Sequence, residues 1–266
     1  MAEPALSEAE PIAVNLGAVT KVYDNGVTAL GPLDLDVKRG EFVSLLGPSG
    51  CGKSTALRLI AGLTAPSSGT VSVSRRASET RAGHSVGFVF QEPTLMPWAS
   101  VRDNVRLPLK LAGMPAPESN QRIGEALAQV GLPEFADAYP RELSGGMKMR
   151  VSLARALVTR PDILLMDEPF AALDEITRFR LNNDLLELWR KLDMTVVFVT
   201  HSVFESVYLS QRVIVMSARP GRINAEFRID PPEPRGEDFR MSAGYAAYCR
   251  EVSNALMPSY AGLASA

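Results

Sequence analysis

The sequence predicts an α/β fold in three parts: a core with a parallel sheet, an N-terminal antiparallel β subdomain, and an inserted α-helical subdomain. Three observations carry this. The run Gly47-Pro48-Ser49-Gly50-Cys51-Gly52-Lys53-Ser54-Thr55 lies between the apolar, strand-like Phe42–Leu46 and the helix-like Ala56–Ala61. From Ile12 to about Phe90, short β-type segments alternate with turns punctuated by glycine and proline. A helix-rich stretch at about 91–160 then separates them from a renewed strand–helix alternation.

In order, β-type segments are expected at Ile12–Val19, Leu33–Val37, Glu41–Leu46, Thr70–Val73 and Val86–Phe90, with turns at Gly31-Pro32, Gly40 and Pro66-Ser67-Ser68-Gly69. Helices are expected at Val101–Leu111 and Ser119–Val130, parted by Gly113-Met114-Pro115-Ala116-Pro117, and at Lys148–Val158. Ile163–Met166 is a continuous apolar run suited to a strand buried on both faces. Glu175–Leu192 sets Leu181, Leu185, Leu188 and Leu192 on one helical face, and Thr195–Thr200 and Arg212–Met216 read as further strands. The expected division is a loose tail at 1–10, a main domain at 11–225 with its helical subdomain at about 91–160, and a short C-terminal extension at 226–266. That extension is punctuated at Pro231-Pro232-Glu233-Pro234 and carries an amphipathic helix near Tyr245–Leu256.

Composition narrows the function classes. A chain of 266 residues, 46% hydrophobic, can bury a sizeable core. Its 28 Lys and Arg against 30 Asp and Glu leave no basic surplus for nucleic acid. Cys51 and Cys249 are too few for a disulfide framework, and a reducing compartment suits a thiol inside the glycine loop. The N-terminus lacks an apolar signal core, and no apolar run approaches the ~20 residues of a membrane span, so a membrane role is expected to come through a partner.

The glycine loop has the pattern G-x-x-x-x-G-K-[ST] in the strand–loop–helix context that gives the pattern meaning. Its glycines let backbone N–H groups converge on an anion, and the following helix adds free amides and a positive dipole end. Lys53 would reach the β- and γ-phosphates, and the Ser54 hydroxyl would ligate Mg²⁺. The expectation is a P-loop NTPase with a RecA-like core. Asp167 and Glu168 close the run Ile163–Met166: Asp167 is placed to hold Mg²⁺ or its water, and Glu168 to deprotonate a water attacking the γ-phosphate. Leu143-Ser144-Gly145-Gly146-Met147 reads as a second anion-binding concavity at a helix start, although taken alone it is more readily an ordinary N-cap.

Taken together, these motifs resemble the ATP-binding subunit of an ABC transporter, over roughly residues 12–225. Leu143–Met147 then corresponds to the signature motif, with Met147 where the family usually has Gln. The resemblance implies that Gln91 is the Q-loop glutamine that reaches Mg²⁺ and the attacking water, and that His201, one of only two histidines beside His84, contacts the γ-phosphate. It also implies that Asp174, in Ala171-Ala172-Leu173-Asp174, lies near a partner subunit and that Tyr23 stacks on adenine. Lys53, Gln91, Glu168 and His201 thus form the catalytic set and Ser54, Gln91 and Asp167 the metal set. Nucleotide contacts come from Tyr23, Gly47–Thr55, Gln91, Ser144, Gly145, Gly146, Asp167 and Asp174.

The same likeness implies a head-to-tail homodimer holding two ATP molecules with Mg²⁺, each between the loop of one subunit and Ser144–Gly146 of the other. Glu92-Pro93-Thr94-Leu95-Met96-Pro97-Trp98 would line a groove for an integral-membrane permease. The segments Pro169–Arg178 and Thr200–Ser210 resemble the bacterial nitrate/sulfonate/taurine importer family, which also includes importers of pyrimidine thiamine precursors. That places the subunit peripherally at the cytoplasmic face of the bacterial inner membrane, working with an extracytoplasmic solute-binding protein and without nucleic acid. A mechanical or regulatory role without transport stays open. A small-molecule kinase is disfavoured, because Glu168, His201 and Ser-Gly-Gly together favour water as the acceptor.

Overall fold

The computed structural model describes residues 11–74, 86–230 and 235–261. The 1–10 tail, His84 and Pro231–Pro234 lie outside the described residues. In chain order the elements are β1 (Ile12–Val22), β2 (Thr28–Lys38), β3 (Phe42–Leu46), α1 (Lys53–Ile60), β4 (Ser68–Val73), β5 (Val86–Val89), α2 (Val101–Leu111), α3 (Ala116–Gln129), α4 (Gly145–Leu157), β6 (Ile163–Asp167), α5 (Glu175–Leu192), β7 (Thr195–Thr200), α6 (Val203–Leu209), β8 (Arg212–Ser217), β9 (Arg222–Arg228), α7 (Glu237–Arg240) and α8 (Ala243–Ala261).

Two sheets organise them. A three-stranded antiparallel sheet has the order β2-β1-β4, and a six-stranded sheet the order β5-β6-β7-β3-β8-β9. Five neighbouring strands of the larger sheet are joined by four parallel pairings, and β9 adds an antiparallel edge. The strands β3, β6, β7 and β8 read as unbroken apolar runs because both faces are covered. Phe42, Leu164, Met166, Val196, Phe198, Val213 and Val215 face a core shared with the helices. Their neighbours Val43, Leu45, Ile163, Leu165, Val197, Val199 and Ile214 face a second core shared with α1 and the smaller sheet. The Leu181–Leu185–Leu188 stripe of α5 is buried in the first core, with Leu192 packed at its margin.

Several expected boundaries move. β2 runs straight through Gly31-Pro32, which had read as a turn. Proline is tolerated there because β2 is an edge strand and leaves no central ladder bond unmade. α3 begins at Ala116 rather than Ser119, since Pro117 suits a first helical turn where its N–H is not needed. β5 stops at Val89, leaving Phe90 and Gln91 beyond the strand. α4 begins at Gly145, not Lys148: Ser144 caps it by accepting the Met147 N–H at 3.3 Å, and packing against α5 outweighs the poor helix propensity of two glycines. The C-terminal helix is longer than Tyr245–Leu256, and β9, α6 and α7 are elements the sequence reading did not delimit.

Candidate active site

The carboxyl ends of β3, β6 and β7 meet at one edge of the sheet, where β3 lies between β7 and β8. In open α/β sheets ligands settle beyond the carboxyl ends of the strands, at such switch points. Gly47–Thr55 leaves β3 here and enters α1 at Gly52, whose φ of 93° is left-handed. A Cβ on Gly52 would also lie 2.6 Å from the Leu30 side chain and 2.7 Å from the Ala29 carbonyl oxygen, so glycine answers both a backbone and a space requirement.

Lys53, only 4% exposed, curls back over its own loop. Its Nζ donates to the carbonyls of Gly47 at 2.7 Å and Pro48 at 3.0 Å and stands 3.8 Å from Glu168 Oε1. The Ser54 hydroxyl donates to Asp167 Oδ1 at 2.8 Å, joining the first turn of α1 to the end of β6. Burial raises the Asp167 carboxyl above its ordinary range, and the Ser54 bond works against that shift. Burial likewise pushes the Cys51 thiol up despite the nearby Lys53 ammonium.

Glu168 follows β6 with φ at 47°, a left-handed setting that costs a non-glycine residue about 1–3 kcal/mol when the surroundings impose it. Its N–H donates to the Val199 carbonyl of β7 at 2.9 Å, which holds the turn against that strain. Oε2 of Glu168 lies 3.3 Å from Nδ1 of His201, which follows β7 directly and is half exposed. Tyr23 sits at the rim, its hydroxyl 3.2 Å from Thr55 Oγ1 and its ring 5.3 Å from the Lys21 ammonium.

The structure therefore brings Tyr23, Lys53, Ser54, Thr55, Asp167, Glu168 and His201 together from four separate stretches of chain. Gln91 stands exposed beyond β5. Ser144–Gly146 lie at the start of α4, with Gly146 close against Thr177, and Asp174 caps α5 by accepting the Thr177 N–H at 2.9 Å. That bond lowers the Asp174 carboxyl below its ordinary value. Among the described residues no hydrogen bond or ion pair joins Gln91, Ser144–Gly146 or Asp174 to the Lys53–Glu168–His201 cluster.

The donor set fits Mg²⁺. Among the described residues no group of three or more His, Cys, Asp or Glu could cage a metal. A hydroxyl and a carboxylate side by side, Ser54 and Asp167, instead match an ion that takes one or two protein oxygens and completes its shell with phosphates and water.

Two contributors escaped the sequence reading. Glu205 of α6, 7% exposed, accepts the Thr200 hydroxyl at 2.6 Å and lies 3.6 Å from Arg178 Nε of α5. Gly221 packs directly on the Cys51 carbonyl of the phosphate loop. Ser202-x-x-Glu205 is a helix-start pattern visible in the sequence, whereas a pairing across 27 residues and a backbone contact across 170 leave no local signal.

Fold and loop place the chain among the P-loop nucleoside triphosphatases. Comparison with known proteins narrows the class: the profile of the ABC transporter family matches residues 30–171, and the chain belongs to that family. It is 50% identical over 208 residues to the taurine import ATP-binding protein of Rhizobium johnstonii, covering 78% of this chain and 79% of the relative. To the nitrate import ATP-binding protein of a Synechocystis species it is 44% identical over 236 residues, 86% and 88% of the two chains. Among solved structures, the dimeric post-hydrolysis state of the ATP-binding cassette MJ0796 with ADP and phosphate superposes with a TM-score of 0.70 at 35% identity, over 82% of this chain and 99% of that one. The chain is thus an ATPase of the ABC type. Among the described residues no helix is long and apolar enough to cross a membrane.

Proposed function

We propose that this chain is the ATP-hydrolysing subunit of an importer for a small anion of the nitrate or sulfonate type. The solute class rests on the relatives' names alone. The observation that carries the hydrolytic part is the convergence of Lys53, Ser54, Asp167, Glu168 and His201 at one sheet edge.

The chemistry follows from their positions. The amides of Gly47–Thr55 and the Lys53 ammonium bind the β- and γ-phosphates and offset their charge. Ser54, Asp167 and the Gln91 amide oxygen would hold Mg²⁺, which supplies further neutralisation of the β- and γ-phosphate oxygens. Glu168 accepts a proton from the water that attacks the γ-phosphorus in line, with ADP as the leaving group. His201 donates toward the γ-phosphate and orients Glu168. Tyr23 offers its ring to the adenine.

Ser144, Gly145 and Gly146 sit apart from this cluster within one chain, so they serve the nucleotide of a second copy in a head-to-tail dimer, where Asp174 also faces the partner. Trp98, 78% exposed, with the half-buried Leu95 and Met96, forms the face offered to membrane permease subunits. This puts the subunit peripherally on the cytoplasmic side of a bacterial inner membrane, with the extracytoplasmic solute-binding protein reached only through the permease.

The test is affinity capture of the Glu168→Gln chain with ATP from detergent-solubilised membranes of its own source. A stoichiometric multi-span membrane protein is the expected companion. A nucleotide-dependent dimer that never carries one would overturn the transport reading and leave a mechanical or regulatory ATPase.

A further inference from the structure

We propose that Arg178 and Glu205 are positioning residues for His201, tying the setting of its imidazole to the Ala171–Asp174 turn. The proposal rests on the assignment of His201 to the hydrolytic site, and it adds the means by which that histidine is placed.

The contacts form a closed circuit. Glu168 begins a tight turn in which its carbonyl accepts the Ala171 N–H at 3.2 Å and the Phe170 carbonyl accepts the Leu173 N–H at 3.2 Å. Arg178 Nη2 donates to the Leu173 carbonyl at 2.9 Å, and its Nε stands 3.6 Å from Glu205 Oε1. The other oxygen of Glu205 accepts the Thr200 hydroxyl at 2.6 Å. Thr200 Oγ1 in turn accepts the Ser202 N–H at 3.0 Å, and Ser202 Oγ accepts the Glu205 N–H at 3.3 Å. Thr200 and Ser202 flank His201, whose Nδ1 returns to Glu168 at 3.3 Å. One guanidinium therefore grips both the turn that leads to Asp174 and the carboxylate that fixes the backbone on either side of His201.

Stability alone does not account for the pair. Glu205 is buried and Arg178 half-buried, so the pair incurs desolvation that offsets much of its attraction, and an apolar pair of similar size would often hold the helices as well. Burial raises the Glu205 carboxyl, with Arg178 and His201 among the charges pulling it back. What an apolar pair cannot do is orient Thr200 and Leu173 at once through hydrogen bonds. α6 is also braced from behind by the C-terminal extension: Tyr245 Oη donates to the Phe204 carbonyl at 2.9 Å, and Arg235 Nη1 to the Tyr208 and Ser210 carbonyls, each at 2.9 Å. With α6 held there, movement of the Leu173 turn is transmitted to His201 instead of being absorbed by α6.

The experiment is a double-mutant cycle on phosphate release by the full chain, for Arg178→Gln, Glu205→Gln and His201→Ala alone and for each of the first two combined with His201→Ala. Misplacing a reacting group by an ångström costs on the order of 100-fold, so each positioning variant is expected to lose about 10- to 100-fold in kcat with KM for ATP nearly unchanged. In the His201→Ala background the same substitutions should cost less than about twofold, because residues acting through one group are not additive. Undiminished losses in that background, or single variants with native kcat, would overturn the proposal while leaving His201 in place. Native kcat for His201→Ala would instead overturn the underlying assignment. Thermal midpoints check folding. If Glu205→Gln does not fold, Arg178→Lys, which keeps the charge but gives up the two-armed grip, carries the same cycle.

Discussion

Glu168→Gln separates binding from chemistry more sharply than any other substitution in this site. In the free protein the Glu168 carboxylate, 19% exposed, lies 3.8 Å from the buried Lys53 ammonium. At an effective dielectric near 20 that attraction is about 4 kcal/mol before desolvation is subtracted. Phosphates must compete with it for Lys53, and the carboxylate also repels them. The amide removes both obstacles. It leaves Lys53 its bonds to the Gly47 and Pro48 carbonyls, so the loop keeps its shape. ATP is therefore expected to bind as tightly as before or up to about tenfold more tightly, a gain of about 1.4 kcal/mol that is a fraction of the competing attraction. An amide cannot accept the proton of the attacking water, and losing a general base costs about 10²- to 10⁴-fold, or about 3–5 kcal/mol in the barrier. Equilibrium binding of a fluorescent ATP analogue, paired with single-turnover phosphate release, measures the two effects separately. Near-native turnover would show that Glu168 is not the base. A large loss of binding would show that the Lys53–Glu168 contact holds the loop together, and the competition argument would fail.

Three further outcomes follow from other parts of the molecule. Gly221→Ala would drive a methyl into the Cys51 carbonyl of the phosphate loop, which is backbone and cannot swing aside; a loss of about 1–3 kcal/mol in stability and weaker ATP binding are expected, read by thermal melting and nucleotide titration. Trp98→Ala removes an exposed indole that supports nothing in the core, so ATP hydrolysis by the isolated chain should stay native while recovery of a membrane partner in the capture experiment falls; unchanged recovery would remove Trp98 from the docking face. The third concerns alkaline pH. Burial pushes the Cys249 thiol up to about 11 in the folded chain from an ordinary 9.0. Above pH 9 the unfolded chain gives up this proton while the folded chain keeps it, so the folded state binds more protons and its stability falls as pH rises from 9 toward 11. Denaturant melts across that window should show the decline, and Cys249→Ala should flatten part of it; an unaltered slope would mean that this thiol is not what titrates.

Much of this was legible in the linear sequence because it is local. The loop Gly47–Thr55 names its residues and spacing in nine consecutive positions. Ile163–Met166 and Thr195–Thr200 declare buried parallel strands by lacking any polar alternation, and α5 shows its face through leucines at helical spacing. Short-range rules err where packing overrides them: Gly31-Pro32 stays extended because β2 is an edge, and Gly145 and Gly146 are helical because Ser144 caps the helix and the buried Gly146 packs against Thr177. Membership in the ABC transporter family, and with it ATP as the substrate, was written in motifs and needed no coordinates. Only the tertiary structure decided which motif residues share one crevice: Tyr23, Lys53, Ser54, Asp167, Glu168 and His201 meet, while Ser144–Gly146 and Asp174 do not join them within a single chain. It alone set Glu168 in a left-handed turn, paired the half-buried Arg178 with the buried Glu205 and laid Gly221 on the phosphate loop. The physical reason is the range of the forces: backbone propensity and side-chain periodicity act over a few residues, whereas ion pairing and steric contact depend on distances that exist only once the chain has folded.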